Sequence, residues 1–325
     1  KQIDSINCGL KITDDFRIDS DVSDLRELVV IRNARIELTL PSNETLEPAL
    51  KLIFSLRDLF SLFSGYAMDF KSVLLELGSR KGGTVWASLF FRQKGVHKGR
   101  MIRGNEFPFR LADFTVGELQ SAFENWFKKA ADLQTVFNLN FGIDRFTETN
   151  FNIKFLTLMQ ALETFHRTVH GGYFLDPVEY RDRIVPHMKN SIPTGIEPDH
   201  RQSLESRLTF GNEYSLRKRL KQLFGELSCD CQSLVTSEPS TFVNRIIATR
   251  NYLTHYSDSV GQDVLDGVDV VNAFIKLRLL LHILILKEIG IEDERINQAF
   301  AERSQSVQGY FSEVQYSSTD AHESE

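Results

Sequence analysis

Over the first forty residues the apolar positions fall in short β-type stretches, Val29-Val30-Ile31 and then the alternation Ile36-Glu37-Leu38-Thr39-Leu40, which Pro41-Ser42-Asn43 ends. Period-two alternation puts every second side chain on one face of a sheet, so half-buried strands are expected there. From Leu46 the spacing turns helical. Leu46, Leu50, Ile53, Phe54 and Phe60 share one side of a helix expected to run to Ser64 and to close at Gly65. Two strand patterns follow, Val73 to Leu77 and Thr84 to Phe91, joined by a Gly-rich hairpin loop, Gly78-Ser79-Arg80-Lys81-Gly82-Gly83. Helical spacing returns from Gly117 to about Asn138 through Leu119, Phe123, Trp126, Phe127 and Leu133.

A polar stretch at 140–150, with Gly142, Asp144, Thr147, Thr149 and Asn150, marks a seam, and beyond it the pattern is helical almost throughout. Phe151 to His170 carries Leu156, Met159, Leu162, Phe165 and Val169 on one stripe before Gly171-Gly172. A shorter helix, Val178 to Val185, is expected to stop at Pro186. After a loop with Pro193, Gly195 and Pro198, one helix carries Leu204 and Leu208, and the next carries Leu216, Leu220, Leu223, Phe224 and Leu227. Another begins at about Ser240, where Ser237 or Ser240 with Pro239 makes the start, and holds Phe242, Val243, Ile246, Ile247 and Leu253 at helical spacing. Val264 to Ile289 closes the series, and Gly290 stops it. The expected architecture is α+β: a β-rich domain with helices at 1–145, an all-α bundle at 146–305, and a Ser-rich, acidic, disordered tail at 306–325.

Composition narrows the functional classes. The chain has 325 residues, a net charge of −6, and 25 Phe, which argues for a generous buried core. The run Leu279 to Leu286 is too short to cross a bilayer and is flanked by Lys276, Arg278 and Lys287, so a buried helix is expected rather than a membrane span. No charged-then-apolar leader opens the chain, and a cytoplasmic location is expected. The first residue is Lys1, so the chain is expected to be trimmed at its start. Three cysteines form no disulfide framework, and Cys229-Asp230-Cys231 lacks a second pair, so reduced thiols and no metal or other cofactor are expected. The second half is acidic, which argues against broad nucleic-acid binding and against DNA. Within it, however, residues 181–221 carry nine Lys and Arg against five Asp and Glu. The run Arg217-Lys218-Arg219-Leu220-Lys221 is either a solvated helix face or a phosphate-contacting patch.

The candidate chemistry lies at Arg250-Asn251-Tyr252-Leu253-Thr254-His255, near the end of a helix. Asn251 and His255, four apart, share a face, and Arg250 points about 140° away from His255, within reach of a long guanidinium. The six-residue spacing alone decides little, because Arg92 and His97 repeat it in a Gly-flanked turn. His166 and His170 have the spacing of a ligand pair but lack a third ligand, and simple exposure is the expectation. Glu163 could pair with Arg250, and Tyr252 or Tyr256 could stack on bases or simply pack.

Context adds more. An all-helical domain with Arg-Asn-x3-His near the end of a late helix, followed by a long apolar helix, resembles the HEPN superfamily. Phe155-Leu156-Thr157-Leu158-Met159-Gln160-Ala161-Leu162-Glu163-Thr164-Phe165 and Ala248-Thr249-Arg250-Asn251-Tyr252-Leu253-Thr254-His255 are similar to its ApeA-like branch, found in bacterial anti-phage defence proteins. Leu56-Arg57-Asp58-Leu59-Phe60-Ser61-Leu62 and Glu124-Asn125-Trp126-Phe127 resemble the β-rich domain that precedes HEPN there. The resemblance implies a homodimeric, metal-independent ribonuclease, with tRNA among the conceivable substrates and no membrane partner. His255 would be acid or base, Arg250 would hold the scissile phosphate, and Asn251 would orient His255 or bind a phosphate oxygen. Beside these, the readings from charge and position offer Glu163 and Tyr256 as supporting residues and Arg217, Lys218, Arg219 and Lys221 as RNA contacts. The alternative is a non-catalytic HEPN-type module for dimerisation or for binding a protein or nucleotide.

Overall fold

The structure, a computed structural model, describes residues 2–3, 8–19, 29–40, 45–65, 68–80, 82–90, 107–145, 150–255 and 261–302. Its architecture is α+β, with two small antiparallel sheets near the N-terminus and helices elsewhere. The chain divides into two compact units. One comprises the described residues of 1–131 with Leu286–Glu292, and the other those of 132–285 with Asp293–Glu302.

In the first unit, β1 (Gln2–Ile3), β2 (Cys8–Asp19) and β3 (Val29–Thr39) form an antiparallel sheet in that order, with Gly9 opposite Thr39 and Asp19 opposite Val29. Helix α1 (Leu46–Ser64) has the expected bounds and closes on Gly65, whose φ of 75° is open to glycine and strained for other residues. Its buried face differs from the expected one. Ala49, Leu56, Leu59, Leu62 and Phe63 face inward while Leu46 stands exposed, because this helix has two apolar stripes with the same spacing. The second sheet is the hairpin β4 (Val73–Arg80) and β5 (Gly83–Leu89). The long expected loop is instead paired as far as Arg80 and Gly83, because Gly78, at φ 112°, takes up a register shift as a bulge. Helix α2 (Val116–Lys129) is fixed by a capping box between Thr115 and Glu118. Its Trp126 is fully buried and donates to Ser55 Oγ at 2.8 Å, while Phe123 meets Phe60 edge-on.

The single helix expected from Gly117 to Asn138 is two. It breaks at 130–133, and α3 (Gln134–Arg145) belongs to the second unit, where it packs on α4 (Phe151–His170). Helix α4 is the spine of this unit and buries Phe155, Leu158, Met159, Ala161, Leu162, Phe165 and His166. After it, α5 (Pro177–Glu179), a π turn (Tyr180–Ile184) and α6 (Val185–Asn190) form one continuous run. The helix therefore passes through Pro186 instead of stopping there. The wide turn, in which the Val185 N–H bonds the Tyr180 carbonyl, relieves the clash a proline ring makes in regular α-helix. Helices α7 (Pro198–Thr209), α8 (Leu216–Gly225), α9 (Cys229–Val235), α10 (Pro239–His255), α11 (Gly267–Glu288) and α12 (Asp293–Glu302) complete the order. Helix α8 packs on both α4 and α10, α10 also packs on α4, and α12 packs on α9. From Leu277 to Ile285 helix α11 is buried on all sides. No helix among the described residues is long and apolar enough to cross a membrane. Cys8 and Cys231 are buried, Cys229 is exposed, and all three are free thiols.

Candidate functional site

Helix α10 starts at Pro239, whose fixed φ and missing N–H suit a first turn, and buries Phe242, Val243, Ile246, Ile247, Thr249 and Leu253. Its other side carries exposed Asn244, Asn251, Thr254 and His255, with Ala248 and Arg250 half-buried. Asn251 and His255 fall within about 20° of Asn244 around the helix, so the three form one exposed stripe. Arg250 leaves the helix off that stripe, yet its Nη1 donates to Asn251 Oδ1 at 3.3 Å. The guanidinium therefore reaches Asn251, which shares the exposed stripe with His255. Among the described residues Arg250 has no carboxylate within ion-pair distance.

Two hydroxyls fix this end of the helix. Thr254 Oγ1 donates to the Arg250 carbonyl at 2.7 Å. Thr249, fully buried, donates to the Arg245 carbonyl at 2.8 Å and accepts from the Leu265 N–H at 2.9 Å. The segment that enters α11 is thereby tied to α10 one residue before Arg250. Thr249 was not legible as a site residue, because its partner lies in an irregular segment that periodicity does not reach.

The supporting residues fall differently. Glu163 does not pair with Arg250. Its Oε1 accepts from Arg167 Nη2 at 3.0 Å, one turn along α4, and Arg167 also meets Glu213 at 2.5 Å. An i,i+4 partner on the same helix is reached without bridging two elements, which explains the preference. Tyr256, Arg92 and His97 lie outside the described residues. Tyr252 is half-buried.

The basic run divides by burial. Arg217, Lys218 and Lys221 are on the outer side of α8 and line a shallow depression with Ser215 and Gln222. Arg217 Nη1 bonds Asn244 Oδ1 on α10. Lys218 Nζ lies 3.8 Å from the Tyr214 ring centre and 4.2 Å from that of Phe174. Arg219 is not an RNA-facing residue, since its side chain is 1% exposed. It donates to the carbonyls of Tyr214 at 3.0 Å, Gly171 at 2.8 Å and Gly172 at 3.4 Å, and to His166 Nδ1 at 3.0 Å. Arg219 shares the inner face of α8 with Leu220 and Leu223, so the guanidinium enters the interior, where it must satisfy its donors.

His166, expected to be exposed, is fully buried. A guanidinium can only donate, so Nδ1 is the acceptor and Nε2 carries the proton that His166 gives to Gln222 Oε1 at 2.8 Å. Burial holds its pKa below the ordinary histidine value. The bond to Gln222 opposes this shift, and the nearby positive charge of Arg219 adds to it, with His170 and Arg167 contributing in the same sense. His170 turns to Glu226 at 2.9 Å. Gly172 completes the packing. At φ 99° it adopts a backbone other residues resist, and a Cβ there would lie 2.6 Å from Arg219 Nη1.

Fold and site together define a helical bundle that exposes an Arg-Asn-x3-His group at the end of a late helix, ahead of a long buried helix. Residues 156–295 match the family Apea-like HEPN, a span that runs from the first turns of α4 into α12 and contains the whole group. The matched segment is consistent with an Apea-like HEPN domain. No curated protein and no solved structure gave a match.

Proposed function

We propose that the chain is a metal-independent RNA endonuclease of HEPN type, working as an anti-phage defence effector through a site formed by two copies. HEPN domains are generally ribonucleases, and the observation that carries the reading here is the Arg250 guanidinium folded onto Asn251. It joins a fixed positive charge, an amide and an imidazole on one open face, inside the matched segment.

The chemistry suited to these groups is attack by the substrate's own 2′-oxygen on the adjacent phosphorus. A base takes the 2′-OH proton, the P–O5′ bond breaks, and an acid protonates the leaving 5′-oxygen. The products are a 2′,3′-cyclic phosphate and a 5′-hydroxyl. His255 serves as one of the two proton carriers, since an imidazole can accept or give a proton near neutral pH. Arg250 binds the non-bridging oxygens, whose negative charge grows in the transition state, and a planar guanidinium can do so with two parallel bonds. Asn251 orients the Arg250 guanidinium through their shared hydrogen bond. Each chain brings one such His255, and in a symmetric dimer the second copy supplies the other proton carrier.

The test is incubation of the purified chain with total RNA in EDTA, followed by mapping of the new ends. Cleavage leaving cyclic phosphates and 5′-hydroxyls is expected, with Arg250→Ala about 100- to 1000-fold slower. Full activity in Arg250→Ala would overturn the assignment. RNA left intact by the wild-type dimer would favour a binding module.

A further inference from the structure

We infer that the exposed stripe of α10 continues into a phosphate-binding subsite on α8, formed by Arg217, Lys218 and Lys221, which holds single-stranded RNA away from the point of cleavage. The inference rests on the proposed ribonuclease site and extends it. Arg219, Leu220, Leu223 and Phe224 anchor α8 in the interior. The outer side is left to Arg217 and Lys221, one turn apart, with Lys218 and Gln222 beside them.

Among the described residues none of Arg217, Lys218 and Lys221 forms an ion pair. Elsewhere in the same unit Arg167, Arg181, Arg183, Lys189, Arg201 and Arg245 each face a carboxylate. Of the acids that flank them in sequence, Glu213 meets Arg167 and Glu226 meets His170. In a chain of net charge −6, a depression lined by three cations that form no ion pair among the described residues suits a polyanion. The aromatic rings favour nucleic acid over an acidic peptide. Lys218 rests over Tyr214 and Phe174, and the Phe174 ring is 57% exposed, leaving surface on which a base can stack.

Continuity with the cleavage site comes from Asn244. Arg217 bonds it, and it lies on the same stripe as Asn251 and His255, about 16 Å from His255 along the helix. A strand whose scissile phosphate sits at Arg250 can follow α10 past Ala248 and Asn244 to the three cations. Asn244 was missed in the sequence, although its spacing of seven and eleven residues from Asn251 and His255 placed it on their face.

The test measures binding of a labelled unstructured RNA oligonucleotide to the full chain carrying His255→Ala, across a salt series. Adding Arg217→Gln and Lys221→Gln should weaken binding and flatten log K against log salt by about 1.4, from roughly 0.7 per lost phosphate contact on a single strand. Lys221→Gln alone, which disturbs no contact, should give about half of that change. The control pair Arg181→Gln and Arg183→Gln should leave the slope where it was. In cleavage assays with His255 restored, the loss should appear in KM. An unchanged slope and KM would overturn the subsite while leaving the ribonuclease reading intact. A flattened slope in a chain that cuts no RNA would support the subsite and overturn that reading instead.

Discussion

Arg219 meets His166 inside the helical unit, with both side chains out of reach of water and their polar atoms bonded to protein. Arg250 and His255, in the same unit, stand at an open helix end where the guanidinium has one long bond to Asn251. The residue types are alike and the physics is opposite. A buried cation with its donors satisfied closes the segments around Gly171, Gly172 and Tyr214, and has nothing left to offer a substrate. Arg250 is half-buried and, among the described residues, meets no carboxylate, so it lacks the partners that fix Arg219. For this unit, burial and partner count separate architecture from chemistry better than residue type does.

The largest effect on stability should come from the closed pair. Arg219→Met leaves three carbonyls and His166 Nδ1 without their donor, and should cost about 3–5 kcal/mol in urea unfolding. A loss under about 1 kcal/mol would mean the pair is not structural. Thr249→Val keeps the shape but strands the Leu265 N–H, and should cost about 1–3 kcal/mol. Because that bond sits beside Arg250, cleavage should fall in this variant as well. Retained cleavage with the stability loss would detach Thr249 from the site.

A pH effect sharpens the contrast further. Folded His166 takes up its proton at lower pH than it does in the unfolded chain, because burial and neighbouring Arg219, Arg167 and His170 oppose the charge. Below about pH 6.5 the unfolded state therefore binds more protons, and stability falls with falling pH, by at most about 1.4 kcal/mol per unit from this group. Above that pH its contribution is flat. His166→Gln, whose amide can accept from Arg219 and donate to Gln222, should remove this part of the slope in denaturation curves taken on both sides of pH 6.5.

Much of this was legible in the sequence, and the failures have physical causes. The bounds of α1 followed from spacing and Gly65, and the placement of Arg250, Asn251 and His255 near the end of a helix from the apolar spacing before them. The buried face of α1 was misread because two stripes of equal spacing compete, and only packing against α2 selects one. Arg219 was grouped with its charged neighbours, though its position beside Leu220 and one turn before Leu223 marks the inner face of α8. Charge outweighed periodicity in that reading, and burial reversed it. The short helices α9 and α12 were not foreseen, since two or three turns carry too few apolar positions to stand out. The exchange of Glu163 from Arg250 to Arg167 depends on tertiary placement that spacing does not encode.

The most direct test of the central claim is to measure both RNA cleavage and unfolding in His255→Ala. An exposed residue at a helix end should change unfolding by less than about 0.5 kcal/mol. Cleavage should fall about 100- to 10,000-fold, the range for a lost proton carrier. Wild-type cleavage by a stably folded His255→Ala chain would contradict the account.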